Sequence, residues 1–413
     1  MKKFLIKAAA FFLILALICV PFAVIIDPYN IFHADKIVEN GCEPNKNYVK
    51  MRNVLKHPDR YDSFLFGSSR VGFIDVSRIN DGTYYDMMYS EGLPAEHLEN
   101  LKVMIDHGII PKNVLLGVDD ISYFVDPKLH DNQLYRLNYP WEGSWEDKAG
   151  FYLRYFDLIT LSESLHVLNT HAKDDPDYGK RLLDTGTENL AIVPQFNYEG
   201  AKAWWSSYYY PREEGLQEIR EIKELCDEYG IKLRVFTNPL NALTYTKDID
   251  NGYLVFLDEL ADVTDYWNFS GYNSVTLDYD NYYETSHYCA AVGDKIIDTI
   301  YYDKTDPELL DQGFGMYVTE DNKDELISML KLQAVNYDLP VNTYSDTINA
   351  AGNSGNDDKK TEESDESTGD TEETSSESTG MLQEKADGIL TEKLRKSGKR
   401  AVFEEEITVN NER

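Results

Sequence analysis

Cysteine is scarce in this chain, with four in 413 residues, at positions 19, 42, 226 and 289. None of them forms a CxxC pair or a metal-ligand spacing, and neither an HExxH motif nor an EF-hand loop occurs. The expectation is therefore no disulfide framework, no metal and no cofactor. Basic side chains are also short in supply. Forty Lys and Arg stand against 73 Asp and Glu, a formal charge of -33. Such a surface repels phosphate backbones at any ordinary pH and excludes nucleic acid as a partner. Residues 351–380 hold ten acids and two lysines, a net -8, so the remaining -25 lies elsewhere and the folded body is itself acidic. Apolar residues almost vanish from 341–380, which reads as a disordered acidic linker, because such a composition cannot bury enough surface to order itself. Residues 381–413 regain a few apolar and basic side chains without any assignable role.

Elsewhere the chain is well supplied. Aromatic residues make up 13%, including 30 Tyr, far too many for a disordered protein and enough for a large core. Length alone predicts one enzyme-sized body with appendages. At the N-terminus, Lys2, Lys3 and Lys7 precede an uninterrupted apolar run over 8–26, whose 19 residues span about 28 Å as a helix. A cleaved signal peptide is the competing reading, but Ala16-Leu17-Ile18 before Cys19 lacks a small residue at the cleavage position. Residues 1–26 are read as a single-pass anchor in the cell membrane. The lysines before it and Asp27 after it place the body on the extracytoplasmic side. A juxtamembrane segment, 27–60, follows, with a predicted helix around 48–56 in which Lys50, Arg52 and Lys56 read as a solvated face.

Beyond residue 60, short β-rich runs alternate with helical ones: 63–66, 97–107, 114–118, 216–229, 233–237 and 290–300. That alternation predicts an α/β fold with a parallel sheet over 61–340. The interval 126–211 breaks the rhythm and is rich in Trp, Tyr and Asp, so it reads as an insertion that builds the substrate side of a site.

The run Asp62-Ser63-Phe64-Leu65-Phe66-Gly67-Ser68-Ser69-Arg70 is an apolar strand ending in Gly-Ser-Ser. This places a hydroxyl at the carboxyl edge of the sheet, where ligand crevices form, and makes Ser69 a candidate nucleophile. The plainer alternative is that the small residues only cap the next helix. Further on, Glu284 precedes His287 by three residues, so on a turn or first helical coil the carboxylate can hold one ring nitrogen while the other faces a serine. Two turns after predicted strands, Ser90-Glu91-Gly92 and Gly117-Val118-Asp119-Asp120, offer groups for an oxyanion.

In this order the residues resemble the SGNH (GDSL-like) hydrolase superfamily. Gly67-Ser68-Ser69 matches its Gly-Asp-Ser block with Ser68 in place of Asp, and Gly92 matches its lone-Gly block. Gly117–Asp120 stands at its Gly-x-Asn-Asp block with Asp119 in place of Asn, and Glu284–His287 at its Asp-x-x-His block with Glu in place of Asp. With the N-terminal anchor, the chain is most similar to the membrane-anchored extracytoplasmic branch that holds the D-alanine transfer protein and the alginate O-acetylation proteins. The resemblance implies a flavodoxin-like three-layer sheet, a triad of Ser69, His287 and Glu284, and an oxyanion hole from Ser69, Gly92 and Asp119. It also implies transfer or removal of acyl groups, O-acetyl above all, on an exported or cell-envelope polysaccharide, with a polytopic membrane acyltransferase as partner. The two acidic departures leave an alternative open, a catalytically inactive scaffold or polysaccharide-binding assembly protein of the same fold. Trp204 and Trp205 are candidate sugar-stacking residues, with packing of the insertion as the other reading. Arg70 is a candidate contact for an anionic substrate group, or else the partner of an acid such as Asp62 or Asp75.

Overall fold

The structure is a computed structural model, which describes residues 2–170, 175–194 and 210–337. Trp204 and Trp205, the acidic linker and residues 381–413 lie outside the described residues. Among the described residues, six strands form one sheet: β1 (Ser63–Phe66), β2 (Tyr84–Asp86), β3 (Asn113–Val118), β4 (Lys232–Thr237), β5 (Tyr266–Asn268) and β6 (Met316–Val318). Their order across the sheet is β2-β1-β3-β4-β5-β6. The first five are parallel, and β6 runs antiparallel to β5, with Trp267 opposite Tyr317. The expected all-parallel sheet is thus corrected at one edge.

The helices are α1 (Lys2–Ile26), α2 (Lys46–Lys56), α3 (Pro94–Asp106), α4 (Ile121–Phe124), α5 (Trp145–Arg154), α6 (Leu158–Asn169), α7 (Tyr178–Asp184), α8 (Arg212–Tyr229), α9 (Ala242–Asp250), α10 (Tyr253–Leu260), α11 (Ala290–Tyr302), α12 (Pro307–Leu310) and α13 (Lys323–Asn336). Strand alternation sorts the core. Phe64 and Phe66 of β1 face a cluster built with α2, α3, α8, α10 and α13, whereas Leu65 points to the opposite face and packs with Val292, Ile296 and Ile297 of α11. Helices therefore cover both faces, which is why β1 and β3 read as near-continuous apolar runs.

The 25 residues of α1 are long and apolar enough to cross a membrane, with a mean hydropathy of 3.0 over its most apolar window. The segment after it is no loose spacer. Tyr29, Ile31, Ala34 and Ile37 form a core of their own with Tyr48 and Val49 of α2 and with Leu134, Leu137, Phe151, Tyr155 and Leu182 of the insertion. Asn45 ties this core together: its side-chain oxygen caps α2 at the N–H of Tyr48, and its amide donates to the carbonyls of Leu134 and Leu137 and to the Tyr155 hydroxyl. The described part of the insertion thus packs largely on the juxtamembrane segment. Its end returns to the strand edge, where the Asp86 N–H donates to Thr185 and the Glu188 N–H to Gly72.

Lys50 does not lie on a solvated face. Fully buried, it donates to the carbonyls of Met88 at 2.6 Å and Gly186 at 2.7 Å. Burial presses its pKa down to about 8 and that of nearby Asp86 up to about 7.

Candidate active site

The site forms where β1 and β3 deliver their carboxyl ends. Strand order reverses on either side of β1, so the loops leaving β1 and β3 diverge and open a crevice. Gly117 lets the crevice close at its base, since a Cβ there would lie 2.5 Å from Val71 Cγ1 and 2.8 Å from Phe236 Cζ. Ser68 is extended and caps a short 3-10 turn over Ser69–Phe73, accepting from the Arg70 N–H. Ser69 opens that turn, so its own N–H has no carbonyl within the turn to donate to.

His287 comes to Ser69 from 218 residues away. A bridge between Tyr282 and Tyr288 closes a short loop, fastened by the Tyr283 N–H to the His287 carbonyl. Of the two expected settings, a turn or a first helical coil, the chain takes the turn-like loop, and Glu284 reaches the ring from it. Its Oε1 meets His287 Nδ1 in a short hydrogen bond, and its Oε2 accepts from the Ser286 N–H at 2.9 Å. The other ring nitrogen, Nε2, lies 2.7 Å from Ser69 Oγ. Tyr283 stacks on the imidazole at 5.5 Å between centroids, and Phe73 meets it edge-on at 5.9 Å. Burial works against the charge of Glu284, but the hydrogen bond and the charge of His287, with the Ser286 N–H, bring its pKa below the usual glutamate value. The carboxylate is ionised at neutral pH and orients the ring so that Nε2 accepts the serine proton. The sequence-expected Ser69, His287 and Glu284 are therefore brought together.

The other expected residues fall out differently. Asp119 is corrected from an oxyanion-hole residue to an internal anchor: its Oδ2 accepts from Ser68 Oγ at 2.8 Å and Asn238 Nδ2 at 3.0 Å and lies 2.9 Å from Arg70 Nη1. Its Oδ1 accepts from the Ile121 N–H at 3.0 Å. With both oxygens engaged and the side chain buried, it faces the turn that carries Ser69 and does not project into the crevice. Arg70 is likewise corrected, from substrate contact to buried ion-pair partner. It pairs with Asp119 and Asp120 rather than Asp62 or Asp75, and its Nε donates to the Ser286 carbonyl at 3.0 Å, binding the serine turn to the histidine loop. Burial raises the pKa of Asp120 to about 6 against the pull of Arg70, and that of Asp248 well above the carboxylate range.

Gly92 lies against the serine turn, where a Cβ would sit 2.5 Å from the Gly67 carbonyl oxygen. Its N–H, however, donates to the Tyr89 carbonyl at 3.0 Å and is not turned toward an oxyanion. The residue before it, Glu91, holds a φ of +52°, a strained conformation for a non-glycine residue, fastened by Arg136 and His130.

Sequence reading missed Asn238, which holds Asp119 with its amide and accepts from the Tyr288 hydroxyl at 3.0 Å with its carbonyl oxygen. The available signal was a polar residue directly after the apolar end of β4, again at the carboxyl edge. Thr244 was missed as well; its hydroxyl donates to the Thr285 carbonyl at 2.8 Å and steadies the histidine loop. Among the described residues, no group of three or more His, Cys, Asp or Glu side chains is arranged to hold a metal ion. The arrangement can remove a proton from Ser69 and hold the resulting imidazolium, which is the chemistry of an activated serine. No family model and no curated protein matches this chain.

Proposed function

We propose that this chain is a membrane-anchored, extracytoplasmic SGNH-like acyltransferase or esterase that acts on acyl groups, O-acetyl above all, of an exported or cell-envelope polysaccharide. One observation carries the reading: Ser69 Oγ lies 2.7 Å from His287 Nε2 while Glu284 holds Nδ1. The strand order 2-1-3-4-5 over the five parallel strands is that of a flavodoxin-like sheet and supports the finer assignment of the fold. In this reaction His287 Nε2 takes the Ser69 proton as Oγ bonds to the acyl carbonyl carbon. Collapse of the tetrahedral intermediate breaks the bond to the leaving oxygen, which takes the proton from His287. A sugar hydroxyl or water then gives its proton to His287 and attacks the acyl-enzyme, and His287 returns that proton to Ser69 Oγ as the bond between Oγ and the acyl carbon breaks. The Ser69 N–H, at the open start of its 3-10 turn, is the donor this reading assigns to the oxyanion. A polytopic membrane acyltransferase, as acyl supplier, fits an anchored enzyme of this type.

The test is a rapid-mixing experiment on the full chain in detergent with an activated acetyl ester. A burst of leaving group equal in amount to the protein is expected from the wild type, and none from Ser69→Ala. A burst that survives Ser69→Ala would overturn the assignment.

A second reading has an observation of its own. The Gly92 N–H is engaged by Tyr89 and Asp119 is engaged internally, so the oxyanion site has fewer donors than acyl transfer ordinarily uses. This is the arrangement of a catalytically inactive scaffold or polysaccharide-binding assembly protein, and absence of a burst from well-folded wild type would select it.

A further inference from the structure

Among the described residues outside the site, α6 carries an exposed aliphatic surface that the chemistry does not explain. Leu158 is 83% exposed, Leu168 60%, Ile159 53% and Leu165 51%, and Leu153 at the end of α5 adds another 67%. On a chain so rich in charge, five large aliphatic side chains on two consecutive helices form a surface that water does not favour. The opposite side of α6 is the packed one, where Thr160 and Ser164 are buried and Glu163 takes a hydrogen bond from Cys42.

The place of α6 in the fold decides what covers this surface. Along α1, residues 9–18 are exposed, but Cys19, Val20, Phe22, Ala23, Val24 and Ile26 are at least partly covered, and α6 packs on α1. If the apolar run 8–26 fills the hydrocarbon thickness, its last eight residues occupy about the final 12 Å of one leaflet. α6 then lies at that depth. The joint between anchor and body is tight: the Asp27 carboxylate ends α1 and accepts the N–H groups of Ile31, Phe32 and His33 at 2.8, 2.8 and 2.7 Å. The body cannot swing α6 away from the bilayer without breaking this turn.

We propose that the exposed face of α6, with Leu153, is a lipid-facing foot, set into the boundary between headgroups and acyl chains beside the protein's own anchor. Lipid is the occupant that the surface fits. Its aliphatic side chains continue the lipid-facing surface of α1, and among the exposed positions of α6 itself only His166 can carry a charge. Seated in this way, the body has two attachments to one leaflet, a spanning helix and an interfacial one, and its orientation on the membrane is set by both. The proposal rests on α1 crossing the bilayer and does not depend on the chemistry of Ser69.

The test uses the full chain in phosphatidylcholine nanodiscs, with the two non-buried cysteines, Cys19 and Cys42, changed to alanine. An environment-sensitive fluorophore is attached at Leu158→Cys, Leu165→Cys, Phe12→Cys or Glu228→Cys in separate samples. Fluorophores at 158 and 165 are expected to emit to the blue of the one at 228 and to be quenched by lipids carrying a nitroxide near the headgroup. The fluorophore at 12 is expected to be quenched by a nitroxide deep in the acyl chain, which checks the span independently. Water-like emission at 158 and 165 with quenching at 12 intact would overturn the foot while leaving the anchor. Blue emission at 158 and 165 without lipid quenching would overturn it too, and would assign the face to a protein partner or a second copy.

Discussion

At the scale of single residues, two carboxylates near one serine have opposite duties. Glu284 is partly exposed and faces the imidazole, whereas Asp119 is buried and holds the serine turn from behind through Ser68, Arg70 and Asn238. In the proposed reaction the first acts through the ring it orients, and the second through the backbone that presents Ser69. Glu284→Gln keeps the length of the side chain and loses the charge that stabilises the imidazolium. The rate of Ser69 modification by a serine-directed fluorophosphonate is expected to drop on the order of 10³-fold in that variant, with no change in folding. A rate within a few-fold of wild type would mean that Glu284 has no orienting role. Because the Glu284 pKa is lowered, its carboxylate stays ionised into mild acid, so acid loss of the wild-type rate is not expected to begin with this group.

At the scale of elements, the N-terminal segment and the insertion are pinned to each other. Asn45 does this at one point, capping α2 and meeting three acceptors in the insertion while fully buried. Asn45→Ala removes a cap and leaves buried carbonyls without their donor, a loss of about 2–3 kcal/mol. Chemical denaturation of the full chain in detergent measures it, and a loss below about 0.5 kcal/mol would contradict the pinning role. Elements of this kind were unevenly legible in the sequence. β1 and β3 were readable as short apolar runs, and α8 and α11 by their helical period. β2, β5 and β6 are three residues each, too short for alternation to register, and the antiparallel entry of β6 was not foreseen. Glu284 and His287 were legible because three residues separate them. Lys50 and Arg70 were not, because the groups that bury them lie 38 to 216 residues away in the chain.

At the scale of the whole molecule, an acidic protein keeps several charges inside, and they tie its stability to pH. His130 sits between Glu96 at 2.7 Å and Glu91 at 3.4 Å. Burial opposes its charge, but the two carboxylates prevail and push its pKa up to about 9. A raised folded-state pKa stabilises the fold fully below the unfolded value near 6.5, and that contribution is lost as pH rises through about 9. The loss is up to about 3 kcal/mol. His97, buried against Phe66 and Tyr89, has the opposite sign: burial pushes its pKa down to about 4, so the fold loses stability as pH falls below about 6.5. In His130→Gln the difference in unfolding free energy from wild type is expected to shrink steadily between pH 6.5 and 9, measured by denaturant titration at each pH. A difference that does not change with pH would show that His130 is not the charged partner of Glu91 and Glu96.

In the proposed reaction His287 activates Ser69 as a nucleophile. Intact-protein mass spectrometry of the full chain treated with a fluorophosphonate tests it most directly, with Ser69→Ala and His287→Ala treated alongside. One adduct per chain, mapped to Ser69 and absent from both variants, is the predicted result. A well-folded wild-type protein that takes up no label, or one whose label persists in Ser69→Ala, would contradict the account.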